Sequence, residues 1–245
     1  MKDMEIANTI MDSILDILKH NMKIIVIGDI HGLQTWKTII EQEQTYDVVI
    51  FLGDYWDSFN ISPIAQRDNY IEIQKFRDEN PNKVITLMGN HDYHYIYPAK
   101  YSGWKMPTKY LAEELLNKDF LSEKLPFACK WGNIIFSHAG ITNYWLNEVA
   151  KTTLEELLEG LVLMHHFDWN GTRGFDMHGN TISNSPLWVR PQALASDMLK
   201  SYKQVVGHTH TDQITNINDE LYLCDTLPNQ YLVIESHKFI IKTLI

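Results

Sequence analysis

The sequence predicts an α/β fold in which a mixed β-sheet is covered by helices. Short apolar runs rich in β-branched residues recur along the chain, and each ends at a glycine or serine, as is typical of buried strands. Helical patterns separate the first of these runs. The 245 residues are 44% hydrophobic, which is enough for one continuous core, so we expect a single domain over residues 1–245.

Polar motifs directly follow five strand-like runs. The runs are residues 23–27, 48–52, 84–88, 134–136 and 205–206. Four other segments have the periodicity of amphipathic helices, at residues 1–20, 33–40, 64–76 and 154–163. The first helix is expected to pack on the domain. The third ends at the Asn80-Pro81-Asn82 stop, and the fourth begins with a capping box at Thr152 or Thr153.

Charge and composition exclude several classes of function. The net charge is −10, which argues against nonspecific binding to nucleic acid, because such binding depends on clustered Lys and Arg. Cys129 and Cys224 are spaced neither as a zinc motif nor as a redox pair, so we expect a reducing compartment. Acidic residues interrupt the N-terminal segment, unlike a signal peptide, and no run approaches the roughly 20 apolar residues of a membrane span. We therefore expect a cytoplasmic protein with no membrane partner.

Five polar motifs begin at the carboxyl ends of the predicted strands. They are GDIHG (28–32), GDYWD (53–57), GNHD (89–92), SHAG (137–140) and GHTH (207–210). Ligand-binding loops converge at this edge of α/β sheets, so we expect the motifs to meet in space. Their Asp and His side chains suit Mn, Fe, Zn or Co, whereas an all-oxygen set would favour Mg or Ca.

The motifs therefore indicate a site for two divalent cations. A carboxylate can bridge two cations because each of its oxygens can bind one of them. Asp54 lies in the second motif, within reach of metal ligands on both sides, and we expect it to be the bridge. Two cations about 3.5–4 Å apart can hold a hydroxide between them and clamp a phosphoryl group for in-line displacement. The chemistry that the residues predict is hydrolysis of a phosphoester.

From Asp29 to His210 the five motifs together resemble those of the calcineurin-like metallophosphoesterase superfamily. The resemblance implies a β-sandwich of mixed sheets flanked by helices, with a dinuclear metal site at the C-terminal ends of strands. Strand-like runs near residue 214 and at 221–223, 231–234 and 239–243 would then complete the second sheet. The implied metal ligands are Asp29, His31 and His210 for one cation, Asn90, His138 and His208 for the other, and Asp54 as the bridge.

The same resemblance gives His91 a different task from the metal ligands. It implies that His91 and Asn90 contact the substrate phosphate, and that His91 protonates the leaving oxygen. Asp57 is the carboxylate that would orient His91 and keep it charged. General acid catalysis of this kind contributes about 10²–10⁴-fold. Asp92 could orient a neighbouring group or cap the helix or turn that follows.

Two positions depart from the protein Ser/Thr phosphatase branch of that superfamily. Residues 58–59 (SF) and 87–88 (LM) stand where that branch has phosphate-binding arginines. Conversely, residues 186–191 (PLWVRP) resemble a Leu-Trp-Ile-Arg element of bacterial protein-phosphatase-like enzymes. Arg190 could therefore clamp the substrate phosphate or form a salt bridge at a loop edge, and Arg173 is a weaker candidate for the first role.

Two segments are expected to border the site. Residues 93–104 are rich in Tyr and Trp, and a loop there would overhang the metals. It could stack an aromatic or nucleoside leaving group, or it could simply pack on the surface. Residues 167–186, rich in Asn, Gly and Ser, are expected to form a long loop or lid.

We expect a metal-dependent phosphoric ester hydrolase, specifically a phosphomonoesterase. Its substrate would be a phosphorylated small molecule, a nucleotide or a phosphoprotein. A nucleotide or phosphodiester hydrolase, such as one acting on dinucleoside polyphosphates, is the alternative among enzymes. A catalytically retired binding scaffold is the alternative outside them, but scaffolds typically lose ligands, and this chain keeps them.

Overall fold

The computed structural model describes residues 22–98, 100–162, 164–167 and 179–245. The helix predicted over residues 1–20 lies outside the described residues, and so do Arg173 and residues 168–178 of the predicted lid. The single domain over residues 1–245 stays a prediction. Within the described ranges, no helix combines the length and the apolar content needed to cross a membrane.

In chain order, the described strands are β1 (Lys23–Ile27), β2 (Val48–Phe51), β3 (Val84–Thr86), β4 (Ala128–Trp131), β5 (Ile134–Ser137), β6 (Lys203–Val206), β7 (Thr215–Ile217), β8 (Leu221–Leu223), β9 (Gln230–Glu235) and β10 (Lys238–Thr243). The α-helices are α1 (Thr35–Glu43), α2 (Pro63–Glu79), α3 (Asn90–Ile96), α4 (Met106–Leu121), α5 (Leu154–Leu158) and α6 (Pro191–Ser196). A π-helical segment covers Trp145–Ala150, and a 3₁₀ turn covers Met164–Phe167.

The strands form two five-stranded sheets, in the orders β10-β9-β1-β2-β3 and β4-β5-β6-β8-β7. β1, β2 and β3 are parallel, with Ile25 paired to Val49 and Ile50 paired to Ile85. β5, β6 and β8 are parallel in the second sheet. The predicted strands before the five motifs are therefore confirmed. In each sheet the motifs lie at the carboxyl edge of the parallel strands.

The two sheets pack face to face. Alternate residues of β1 point to opposite sides of the sheet. Ile24 and Val26 share an apolar cluster with Phe136 and Val205 of the second sheet. Ile25, which lies between them, belongs instead to the cluster that contains helix residues. The result is the predicted sandwich of mixed sheets flanked by helices.

Two of the late strands join a different sheet from the one expected. β9 and β10 form a hairpin on the first sheet, where Leu232 pairs with Val26 and Val233 pairs with Ile240. The prediction that these runs complete the second sheet is therefore wrong. β1 is buried and hydrogen-bonds along both edges, and an apolar run indicates that a strand is buried but not which strand lies beside it.

One predicted helix is shorter than expected. α5 has the predicted capping box at Thr153 but ends at Leu158 instead of continuing to residue 163. Gly160 follows with a φ of +73°, and Leu161 N donates to the Glu156 carbonyl over 3.0 Å. This is the geometry of a Schellman cap, which ends the helix because glycine adopts the left-handed conformation without steric cost.

The aromatic segment after GNHD begins as a helix and not as a loop. Tyr93 and Tyr95 lie in α3, and their side chains are buried in the core. The expectation of a loop is wrong for these two residues, because their rings pack under the site. α3 begins at Asn90, so the first turn of the helix fixes the directions of Asn90, His91 and Asp92.

Candidate metal centre

The five motifs bring side chains of both sheets to one place. Asp29, Asp54 and Asn90 follow β1, β2 and β3 of the first sheet. His138 and His208 follow β5 and β6 of the second sheet. The site therefore lies where the carboxyl edges of the two sheets meet.

One group of metal-binding atoms comes from Asn90, His138 and His208. Asn90 Oδ1 lies 2.7 Å from His138 Nε2 and 3.0 Å from His208 Nδ1. The two nitrogens are 3.2 Å apart. Asn90 and His138 are buried, and His208 is partly buried. Three ligand atoms of the predicted second cation thus converge across the seam between the sheets.

A second group comes from Asp29, His31 and Asp54. Each offers one ligand atom, and these atoms lie within 4.8 Å of one another. His31 Nε2 is 3.7 Å from Asp54 Oδ2, and the same oxygen is 3.4 Å from His138 Nε2. Asp54 therefore lies between the two groups, which is the position that a bridging carboxylate requires.

The histidine tautomers fit a metal site. His31 Nδ1 lies 2.6 Å from the Trp56 carbonyl, and His138 Nδ1 lies 2.9 Å from the Leu52 carbonyl. A carbonyl oxygen only accepts, so each Nδ1 carries the proton. Burial lowers the pKa of His31 to about 4 and that of His138 to about 3, so both rings are neutral near pH 7 and each Nε2 keeps a lone pair. Metal-ligating histidines commonly have this arrangement.

The carboxylates of the site repel one another. Burial raises the pKa of Asp29 well above its usual value, and repulsion from Asp225 adds to the effect. Burial likewise raises the pKa of Asp54, with repulsion from Asp29 as the next cause. Divalent cations between these groups would offset both effects. The donor set therefore fits two metal ions.

Asp225 is a site residue that the sequence analysis missed. It lies just beyond β8, which is parallel to β6, so it stands at the same edge of the sheet as His208. Burial raises its pKa, and its charge acts on both Asp29 and Asp54. A signal was present, because Asp225 stands as far beyond a buried strand as Asp29 does. Asp225 was missed because no recognisable motif surrounds it.

His210 is more exposed than the other predicted ligands. Its side chain is 63% exposed, and its Nδ1 lies 3.6 Å from Asp225 Oδ1. The compact group around Asp29 consists of Asp29, His31 and Asp54. The assignment of His210 as a further ligand of that cation stays a prediction.

The backbone around the ligands adopts uncommon conformations. φ is positive at Asp54 (52°) and His208 (62°), although neither is a glycine. A Cβ at Gly89 would lie 2.1 Å from Asp54 Oδ1, and a Cβ at Gly207 would lie 2.1 Å from Asp29 Oδ1. Both glycines are therefore needed so that the main chain can approach the two carboxylates.

Asp92 both caps a helix and holds a site loop. Its carboxylate accepts from Gly89 N over 2.9 Å at the start of α3, and from Asp54 N and Tyr55 N over 2.8 Å each. Burial raises the pKa of Asp92 to about 7 in spite of these three donors. The two roles considered for Asp92 are therefore combined in one carboxylate, which ties the Asp54 loop to the helix.

His91 and Asp57 form the predicted pair beside the metal-binding groups. His91 Nδ1 lies 2.9 Å from Asp57 Oδ2, and His91 N donates to Asp54 Oδ1 over 2.8 Å. The ring of His91 contacts that of His31 edge-on, with the centroids 5.2 Å apart. Because Nδ1 faces Asp57, Nε2 is the nitrogen of His91 that a substrate can use.

Arg190 is anchored to the last motif. Its Nη1 donates to the His208 carbonyl and to Thr209 Oγ1, each over 3.0 Å. Burial lowers the pKa of the guanidinium, and the Asp29 and Asp54 carboxylates oppose that shift. Arg190 therefore stands within the electrostatic field of the metal-binding carboxylates. Its contact with a substrate phosphate stays a prediction.

The model of the Calcineurin-like phosphoesterase family matches residues 22–212, a range that includes all five motifs. The chain belongs to this family. The family predicted from the motifs is therefore confirmed. The matched range begins just before β1 and ends just after His210.

The chain is similar to Shewanella-like protein phosphatase 1 from Plasmodium berghei (strain Anka). The two are 28% identical over 176 aligned positions, and the match covers 57% of this chain and 46% of that protein. The chain thus matches less than half of the length of that relative.

Solved structures with a similar fold include three phosphatases or phosphoesterases. The cold-active protein-tyrosine phosphatase of a psychrophilic Shewanella species has a TM-score of 0.57 and 14% identity, covering 92% of this chain and 81% of the other. A Saccharomyces cerevisiae protein serine/threonine phosphatase has a TM-score of 0.55 and 15% identity, covering 91% and 80%. A metallophosphoesterase from Sphaerobacter thermophilus has a TM-score of 0.52 and 15% identity, covering 92% and 88%. At these identities the likeness shows a shared fold.

Metal binding by this chain is expected to release protons. The raised pKa values of Asp29 and Asp54 mean that the metal-free carboxylates retain protons at pH values where ordinary carboxylates have lost them, and a cation displaces those protons. His31 and His138 are already neutral and release none.

Titration calorimetry in buffers of different ionisation enthalpy measures this release. The number of protons released should fall as the pH rises through the raised carboxylate pKa values, and the affinity for metal should rise over the same range. Asp54→Asn is the control, because it removes one of the two carboxylates that retain protons. Binding enthalpies that do not depend on the buffer at mildly acidic pH would contradict this expectation.

Proposed function

We propose that this chain hydrolyses phosphomonoesters at a centre of two divalent cations. The position of Asp54 carries the proposal, since its Oδ2 lies 3.7 Å from His31 Nε2 and 3.4 Å from His138 Nε2. The residues that would hold the cations are Asp29, His31 and His210 for one, Asn90, His138 and His208 for the other, and Asp54 between them. When bound, the cations supply an activated water molecule and clamp the phosphoryl oxygens. Mn, Fe, Zn and Co are the candidate metals.

The chain's own residues act on the leaving group. Burial opposes ionisation of Asp57, but hydrogen bonds from His91, His94 and Tyr95 hold the pKa of Asp57 below its usual range, so it is a carboxylate. With Nδ1 of His91 donating to Asp57, the proton on His91 Nε2 is the one available to the leaving oxygen. The product then departs as a neutral alcohol, because an unprotonated alkoxide is a poor leaving group.

His91→Ala is expected to lower kcat about 10²–10⁴-fold and to leave the metal content unchanged. The substitution removes the ring beside the metals, but His91 N remains to donate to Asp54 Oδ1. Steady-state kinetics with phenyl phosphate, whose leaving group needs protonation, and elemental analysis of the same preparation provide the measurement. Loss of both metals would show that the imidazole is a ligand and not an acid.

Phosphoproteins are the substrate class that we propose. The relative from Plasmodium berghei is named a protein phosphatase, which supports this choice. Arg190, held near the carboxylates of the site, would supply the guanidinium that clamps the substrate phosphate in place of the missing arginines. His91 and Asn90 would contact the same phosphate.

A substrate panel tests the proposed function directly. The expected result is faster hydrolysis of p-nitrophenyl phosphate and phosphopeptides than of bis(p-nitrophenyl) phosphate and nucleotides. Comparable rates on the monoester and the diester would favour a nucleotide or phosphodiester hydrolase. No turnover of any substrate by metal-loaded protein would favour a binding scaffold.

The remaining expectations belong to the same proposal. We propose that residues 1–245 form one domain, that the protein acts in the cytoplasm, and that it binds neither membranes nor nucleic acid nonspecifically. The net charge of −10 supports the last point, since it repels a polyphosphate backbone.

A further inference from the structure

A second histidine shares the Asp57 carboxylate with His91. His94 Nε2 lies 2.7 Å from Asp57 Oδ2, and the same oxygen lies 2.9 Å from His91 Nδ1. The hydroxyl of Tyr95 donates to Asp57 Oδ1. Asp57 thus faces three side-chain donors, and all three belong to α3.

The two histidines differ in their access to solvent. The side chain of His91 is 21% exposed, whereas that of His94 is fully buried. Tyr101 stacks on the His94 ring, with the centroids 5.7 Å apart and the planes at 14°. Tyr95 contacts the same ring edge-on at 4.3 Å. His94 is therefore fixed behind the acid pair, and with no exposed surface it does not touch a substrate.

Packing alone does not explain an imidazole at this position. Both ring nitrogens of His94 are buried: Nδ1 has no partner in the described part of the chain, and Nε2 lies 2.7 Å from Asp57 Oδ2 without the alignment of a full hydrogen bond. Burial lowers the pKa of His94, so its ring is neutral and carries one N–H, which lies on Nε2 because the Asp57 carboxylate only accepts. A phenyl ring would fill a similar volume without burying polar atoms. What the imidazole adds is a polar nitrogen in close contact with the Asp57 carboxylate.

We propose that His94 and Tyr95 are positioning residues, which hold the Asp57 carboxylate in the orientation that presents His91 to the leaving oxygen. This inference rests on the proposed function, in which His91 protonates that oxygen. Without His94 and Tyr95, Asp57 keeps one of its three side-chain donors, and the pair of His91 and Asp57 can turn away from the substrate. Proton transfer to the leaving group then slows, while the metal ligands are unaffected.

The variants His94→Phe and Tyr95→Phe remove the donors and keep aromatic rings in place. We expect kcat with phenyl phosphate, which has a poor leaving group, to fall about 10- to 100-fold. With p-nitrophenyl phosphate, whose leaving group departs with little protonation, the loss should be much smaller. KM and metal content should not change. His94→Gln restores an N–H donor and should recover part of the lost rate.

Two outcomes would overturn the inference. An equal loss of rate on both substrates would mean that His94 and Tyr95 do not assist proton transfer to the leaving group. Loss of metal would mean instead that Asp57, His91 and His94, whose ligand atoms lie within 4.8 Å of one another, hold a cation. Elemental analysis and the ratio of the two rates separate these outcomes.

Two controls separate the inference from a general loss of stability and from the proposed function. Tyr231 lies on β9, which carries none of the motifs, and its buried hydroxyl donates to Glu43 over 2.6 Å. Tyr231→Phe removes that hydroxyl. It should leave the ratio of the two rates unchanged, and a changed ratio would overturn the inference.

If His91→Ala shows no dependence on the leaving group, the acid role fails. If His91→Ala shows it and His94→Phe does not, the positioning role alone fails.

Discussion

Asp54→Asn is expected to reduce turnover by about 10³-fold or more. The amide keeps the shape of the carboxylate, and its oxygen can still accept from His91 N, so the loop should be retained. It has no negative charge and one oxygen instead of two, so it cannot bridge two cations. Losing several kcal/mol of charge stabilisation corresponds to about three powers of ten in rate. The measurements are kcat with p-nitrophenyl phosphate and the metal content of the purified variant.

Asp119→Asn is the matched control for this substitution. Asp119 is a buried carboxylate on α4 that accepts from Arg77 Nη1 and Nη2, each over 2.9 Å, and it lies outside the motifs. Breaking this pair should cost about 3–5 kcal/mol of stability, but kcat per folded molecule should not change. Full phosphatase activity in a clean preparation of Asp54→Asn would refute the site.

Removal of the metals is expected to abolish activity and to lower the melting temperature. A cation at about 100 times its Kd stabilises the folded state by about 2.7 kcal/mol. For a chain of 245 residues this corresponds to a shift of about 5–10 °C for each cation. The repulsion among Asp29, Asp54 and Asp225 acts in the same direction once the cations are gone. Calorimetry of stripped and reloaded protein measures the shift.

The metals that restore activity test the donor set. Mixed nitrogen and oxygen ligands should favour Mn, Fe, Zn or Co over Mg. Reloading with each of the five, with elemental analysis in parallel, gives the comparison. Full activity after verified stripping, together with an unchanged melting temperature, would rule out a metal centre.

Much of the site could be predicted from the sequence because its geometry is local. Asp29, Asp54, Asn90, His138 and His208 each stand one to four residues beyond a buried strand. Parallel strands end at a common edge, so residues that follow them converge even when they are far apart in the chain. Strand patterns and motif spacing therefore predicted that these residues converge, whereas the sandwich and the division into two ligand groups came from the family resemblance.

What could not be predicted depends on contacts between distant segments. The β9–β10 hairpin lies on β1 because of pairing that no local pattern reveals. Asp225 joins the carboxylates because β8 lies beside β6. His94 lies beside Asp57 only because α3 packs in the core, and no motif includes it.

Because the group of Asn90, His138 and His208 spans the seam between the sheets, we expect tight cation binding there to come late in folding. His138 Nε2 and Asn90 Oδ1, 2.7 Å apart, come from different halves of the sandwich. A fragment that ends between β3 and β4 keeps Asp29, His31 and Asp54 but lacks His138 and His208, so it should not bind the second cation tightly. The absorption of a spectroscopically visible cation such as Co, followed during refolding, would then report when the two halves dock.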